Sequence, residues 1–340
     1  MTRAKLLNLG CWRCALLIIF SVMIGLSSAI AQSPPEAGEC HNLSRDRALE
    51  VLPNELDIQG PDDIVFYIDT TDQRMILNQA RQSDMALQLA VADALYRDVL
   101  GLTPPLRMPR YQRANFIMVI LRGDQIRGGQ AYDEVVNSNT SPSCHIRMAL
   151  GGGVKAAQNV TPAHELFHLY QNAHMMFKQG WVHEGLARWV ESLLRGDIQE
   201  GNPLPANNEA LTLMMQESYE TASFWQRLFY LLDSEGSISI PDILKEKHYQ
   251  DGSQVVNATH LYGSEFLPLL FSSLDEAGKV LANQEQWPVY GWAEAEQRNL
   301  RHNEVILSAV YQAVLDYMPL AEQPEELRAF MHLLEPLIDR

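Results

Sequence analysis

Two histidines four residues apart with a glutamate between them, His164-Glu165-Leu166-Phe167-His168, constrain this chain more than any other feature. On a helix, positions i and i+4 lie on one face, one turn above the other, so both imidazoles can grip one ion. Sixteen residues past His168 comes Glu184, in the block Trp181-Val182-His183-Glu184-Gly185-Leu186-Ala187-Arg188-Trp189, on a second expected helix. Two imidazoles and a carboxylate make the three-ligand set of a catalytic zinc ion, with the fourth position left to water. Glu165 lies where a general base for that water belongs. The five-residue motif by itself arises by chance in roughly one or two chains of this size per hundred. The second block turns it into a chemical expectation: a water-activating hydrolase, most simply a peptidase.

Over residues 161–191 the two blocks resemble the gluzincin branch of the zincin metallopeptidases. The resemblance implies that His164, His168 and Glu184 bind Zn²⁺, that Glu165 is the catalytic base, and that the substrate is a peptide or protein. Glu191 lies seven residues past Glu184, two turns along the same face. It is either a second-layer carboxylate that orients a ligand histidine or a solvated helix charge. The chain departs from the commoner pattern at His183, where an Asn or another polar residue is usual.

His174, six residues past His168, is a rival third ligand, since the metzincin branch places a histidine at that offset after a glycine. Here the glycine position holds Gln171, which turns the chain poorly, although Asn172 can adopt a left-handed conformation. No methionine turn follows, so Glu184 is the expected ligand. An oxyanion needs a donor besides the metal. In the segment Ala258–Leu267 the expected donor is Tyr262, with His260 second; Tyr262 can equally be a packing residue with a satisfied hydroxyl. Two alternatives to a peptidase remain: a catalytically silent peptide-binding or scaffold protein of the same fold, and a helical envelope protein without metal.

The N-terminus has the pattern of a secretory leader: basic Arg3, Lys5 and Arg13, an apolar run from Ala15 to Leu26, and small residues at Ala29-Ile30-Ala31 before an expected cut. The apolar run is short for a membrane span, and no second one follows, so no membrane association is expected after cleavage and the mature chain is expected to be periplasmic or secreted. Cys11 and Cys14 fall inside the leader. Cys40 and Cys144 remain, and an oxidising compartment predicts one disulfide between them. Asn-x-Ser/Thr triplets begin at Asn42, Asn139, Asn159 and Asn257 and matter only in a eukaryotic secretory path. The net charge of −16 argues against nucleic acid and anionic membranes as partners.

With 340 residues, 46% of them hydrophobic, the chain can bury a sizeable core. The expected class is α+β: a zincin-like region with a small mixed sheet and the metal helix, then a mainly helical C-terminal half. The expected division is a leader at 1–31, an extension at 32–60, the zincin-like part at 61–200 and the helical part at 201–340. Strands are expected at 64–68, 116–121 and 145–150, and a long helix at 72–100 ending near Gly101. The stretch 122–144 reads as a polar loop. The strand at 145–150, just ahead of the metal helix, is expected at a sheet edge, where an extended peptide can pair with it. Thr161-Pro162 opens the metal helix, with Thr161 as its cap. Further helices are expected at 209–233, 262–282, 292–317 and 325–337.

Overall fold

Three six-residue strands make the centre of the sheet: Ile64–Asp69 (β3), Phe116–Leu121 (β4) and His145–Leu150 (β7). They run parallel, with Ile64 opposite Ile117 and Phe116 opposite His145. Parallel strands are covered on both faces, which is why β4 is a continuous apolar run rather than an alternating one. Ile117, Val119 and Leu121 face the main core, while Met118, Ile120, Ala149 and Tyr67 form a small cluster on the opposite face.

The computed structural model describes residues 40–43, 49–51, 64–69, 79–122, 128–138 and 141–338. The expected leader at 1–31 with Cys11 and Cys14, Asn139 and most of the expected 32–60 extension lie outside the described residues. The sheet is completed by Cys40–Asn42 (β1), Leu49–Val51 (β2), Gly129–Ala131 (β5) and Val135–Asn137 (β6), in the order β1-β6-β7-β4-β3-β2, with β5 also on β7. Thus the stretch 122–144 is not a plain loop: β5 and β6 both run antiparallel to β7. Three-residue strands are too short to show a period of two, and Gly-Gln-Ala carries little strand preference. The expectation of an edge position for β7 is corrected by the same pairing. β7 lies inside the sheet, and β5 covers its Met148–Leu150 end. Cys40 and Cys144 are joined in a disulfide, Cα–Cα 6.0 Å, tying β1 to the turn ahead of β7.

Helix α1 (Gln79–Ala94) continues into a wider turn, Leu95–Val99, where Leu100 N–H reaches back to Leu95 O at 3.0 Å. It ends at Gly101, whose φ of +68° stops the helix as expected. The helix that carries His164 and His168 is α2 (Thr161–His174), and every residue from Pro162 to Ala173 is buried. A helix apolar on most sides sits in the middle of a core, here against α1, β5, β7 and the later helices. Its N-terminal amides are capped by neighbours rather than by Thr161. Asn159 Oδ1 accepts from Thr161 N–H at 3.3 Å, and Gln88 Oε1 from α1 accepts from Ala163 N–H at 3.2 Å. At the other end Arg110 donates to Asn172 O at 2.6 Å, a cation at a helix C-terminus.

The second half is helical. After α3 (Gly180–Val190) and α4 (Ser192–Arg195), the expected helix at 209–233 is two helices, α5 (Asn208–Met214) and α6 (Ala222–Leu232), separated by a turn. The break has a tertiary cause: the Thr221 hydroxyl donates to Trp181 O on α3 at 2.9 Å, which turns the chain toward α3. Helices α7 (Asp242–Lys245), α8 (Phe266–Glu285), α9 (Glu294–Gln297), α10 (Asn303–Tyr317) and α11 (Glu325–Ile338) follow. One continuous core runs from the sheet through α2 and α3 into α8, α10 and α11, across the expected division at 200. Among the described residues, no helix is long and apolar enough to cross a membrane.

Candidate metal centre

Helix α3 owes its position to two tryptophans and a glycine. Trp181 stacks on Trp225 of α6, centroids 5.7 Å apart and planes 2° from parallel, and Trp189 meets Phe229 edge-on at 4.5 Å. Trp225 Nε1–H donates to Trp181 O at 2.7 Å. Gly185 allows this approach, since a Cβ there would stand 2.9 Å from Trp225 Nε1. The residue before that glycine is Glu184, so the same docking aims Glu184 at α2.

The result is a triangle. Glu184 Oε2 lies 3.3 Å from His164 Nε2 and 3.3 Å from His168 Nε2. The ligand atoms of the three residues lie within 4.8 Å of one another, so they can hold one metal ion. Glu184 Oε2 is buried and has no hydrogen-bond partner. A buried, unpaired carboxylate oxygen is costly unless a cation faces it. The charges agree. Burial acts to raise the Glu184 carboxyl, yet the nearby imidazoles of His164, His168 and His183 hold it well below the usual carboxylate range. Burial acts to lower His164, but Glu184 and Glu191 push it up to about 9. This pocket demands positive charge.

Each imidazole is oriented from behind. His164 Nδ1 lies 2.8 Å from Glu191 Oε1, and Glu191 is held in turn by Arg188 and, at 3.0 Å, by Arg195. Glu191 is therefore the orienting carboxylate rather than a solvated charge. His168 Nδ1 lies 2.8 Å from Gln171 Oε1. Carboxylate and amide oxygens only accept, so both Nδ1 atoms carry hydrogen, and both Nε2 atoms are turned to the triangle. His183 lies flat on His168, centroids 4.1 Å apart and planes 1° from parallel, and burial followed by the nearby His168 lowers it to about 3. It packs against the ligand as a neutral ring.

Glu165 is buried beside strand β5, where the nearby Ala131 N–H acts to lower its carboxyl. Burial raises its carboxyl above the ordinary value, against the pull of His168 and His164. Such a shift suits a general base.

The other candidates stand elsewhere. His174 Nε2 meets Thr103 O at 3.0 Å, and its ring stacks on Phe271 at 5.4 Å. Because α2 stays helical through Gln171, six residues rotate His174 about 120° away from His168. Tyr262 packs its ring on Tyr230 at 5.0 Å and on His260 at 5.4 Å, and neither Tyr262 nor His260 touches the triangle. The tyrosine that does is Tyr219. Its ring stacks on His164 at 5.8 Å, its phenol is close enough to Glu184 to be shifted by it, and it is 51% exposed. Burial and then Glu184 raise its phenol above the ordinary value. Nothing in the sequence pattern marks Tyr219, because it lies in the turn hidden inside an apparently continuous helical stretch.

Compared with protein-family models, curated proteins and solved structures, the chain finds no match. The gluzincin resemblance therefore rests on the sequence blocks at 161–191 alone.

Proposed function

We propose that this chain is a zinc-dependent metallopeptidase of zincin-like fold that works in the periplasm or outside the cell. The observation that carries the reading is the unpaired Glu184 Oε2 at 3.3 Å from each Nε2 of His164 and His168. Ligand atoms that lie within 4.8 Å of one another can all reach one zinc ion. Two imidazoles that present Nε2 and one carboxylate also suit zinc chemically. The triangle leaves a position open, and when bound there zinc acidifies water and polarises a carbonyl.

The chain's own groups divide the rest of the work. Glu165, with its raised affinity for a proton, takes one from the attacking water and passes it to the departing amine. Tyr219, half exposed at the rim, offers its hydroxyl to the oxygen on which charge develops. This role passes to Tyr219 from Tyr262. The leader pattern and the Cys40–Cys144 bond support a location in an oxidising compartment.

The test uses the mature protein with a peptide library and metal analysis. Glu165→Gln keeps one zinc per chain and loses at least about 100-fold in turnover, and His164→Ala loses both. A Glu165→Gln protein that cleaves at the wild-type rate, or a wild-type protein that holds no divalent metal, would reject the reading.

A further inference from the structure

We infer that Gln171 is a positioning residue that couples the two ligand helices of the metal centre. The inference rests on the metal-centre reading above. Gln171 is fully buried. Its Oε1 accepts from His168 Nδ1–H at 2.8 Å, and its Nε2 donates to the backbone carbonyl of His183 at 2.9 Å. His183 directly precedes Glu184. One rigid amide thus bonds to one ligand side chain and to the backbone beside the next ligand, on a different helix.

The orientation of that amide is forced. A backbone carbonyl only accepts, so the nitrogen must face His183 and the oxygen must face His168. The amide therefore imposes the Nδ1–H form on His168 and sets the height of Glu184 above α2 together. The neighbouring Asn172 adds a second tie, its Oδ1 lying 3.2 Å from His183 Nε2. Successive residues of α2 thereby hold both the carbonyl and the ring of His183. The two ligand histidines also differ in kind: Glu191 backs His164 with a charge, whereas Gln171 backs His168 with a neutral dipole. A glycine at this position, as in the rival ligand pattern, would leave His168 unsupported.

The experiment compares wild type with Gln171→Met, which keeps the length and loses both hydrogen bonds, and with Gln171→Glu, which keeps the acceptor for His168 but turns a second oxygen on the His183 carbonyl. Zn²⁺ and Co²⁺ affinities are measured by chelator competition, the Co²⁺ visible spectrum is recorded, and imidazole ¹⁵N signals are followed in the metal-free protein. Expected are a roughly 10- to 100-fold loss of metal affinity in Gln171→Met, an altered Co²⁺ spectrum, and loss of the fixed Nδ1–H signal of His168. Gln171→Glu is expected to restore that signal. A Gln171→Met protein with wild-type metal affinity and spectrum, changed only in melting temperature, would overturn the inference. A wild-type protein that binds neither ion rejects the metal-centre reading instead. The metal-free ¹⁵N signals then still decide the coupling, which fails if His168 Nδ1 carries no proton.

Discussion

Gly129 lies directly against Glu165: a Cβ at Gly129 would stand 2.6 Å from Glu165 Oε1 and 2.7 Å from Cδ. With the Ala131 N–H close to the same carboxylate, strand β5 is the wall against the proposed base. Gly129→Ala is expected to push Glu165 out of line. Displacements of about 1 Å can cost about 100-fold in rate, so turnover should fall by about that much while zinc affinity stays at the wild-type level. Steady-state kinetics beside metal titration checks this, and an unchanged rate would show that β5 does not set the position of the base.

The two rival third ligands separate by metal content. Glu184→Ala should lower zinc affinity by at least about 100-fold, as expected when one of three protein ligands is lost. His174→Ala should keep a full zinc complement, and its effect should be a stability loss of about 1 kcal/mol from the missing hydrogen bond to Thr103. Zinc analysis after dialysis distinguishes them. Metal lost from the His174 variant alone would reverse the assignment.

Tyr219 and Tyr262 can be compared by removing one oxygen from each. Tyr219→Phe keeps the ring on His164 and removes the hydroxyl. Its kcat/KM is expected to fall about 100- to 1,000-fold, the usual effect of losing an oxyanion donor, with zinc retained. Tyr262→Phe should leave kcat/KM unchanged, because its ring packs on Tyr230 and His260 rather than on the triangle. The opposite pattern would restore Tyr262 as the donor.

Asp133 joins β5 to the end of the metal helix through Arg110 at 2.6 Å and Lys178 at 2.8 Å. Burial acts to raise its carboxyl, but Arg110 and Lys178 hold it well below the carboxylate range. Its folded pKa is thus depressed, so its stabilisation is present above the unfolded value near 3.9 and fades as pH falls toward the folded one. Asp133→Asn leaves the buried Arg110 without its acid and should cost about 3 kcal/mol at pH 7. In urea unfolding the gap between variant and wild type should narrow below about pH 4. A gap independent of pH would mean that the carboxylate charge is not what stabilises this joint.

The sequence alone determined the parts whose chemistry is local. Helical spacing places His164 and His168 on one face whatever surrounds them, and the apolar runs of β3, β4 and β7 are long enough to declare themselves. Tryptophans flanking Glu184 announce a buried helix, and the two cysteines past the leader-like N-terminal pattern announce their bond. Only the tertiary structure decided which tyrosine stands over His164, because the Thr221 contact with α3 breaks a stretch whose periodicity reads as one helix. It alone placed β5 against Glu165, since three residues of Gly-Gln-Ala hold no periodic signal. And it alone gave Gln171 its partners: the side-chain amide bonds with groups brought near by the packing of α2 on α3, which no spacing along the chain encodes.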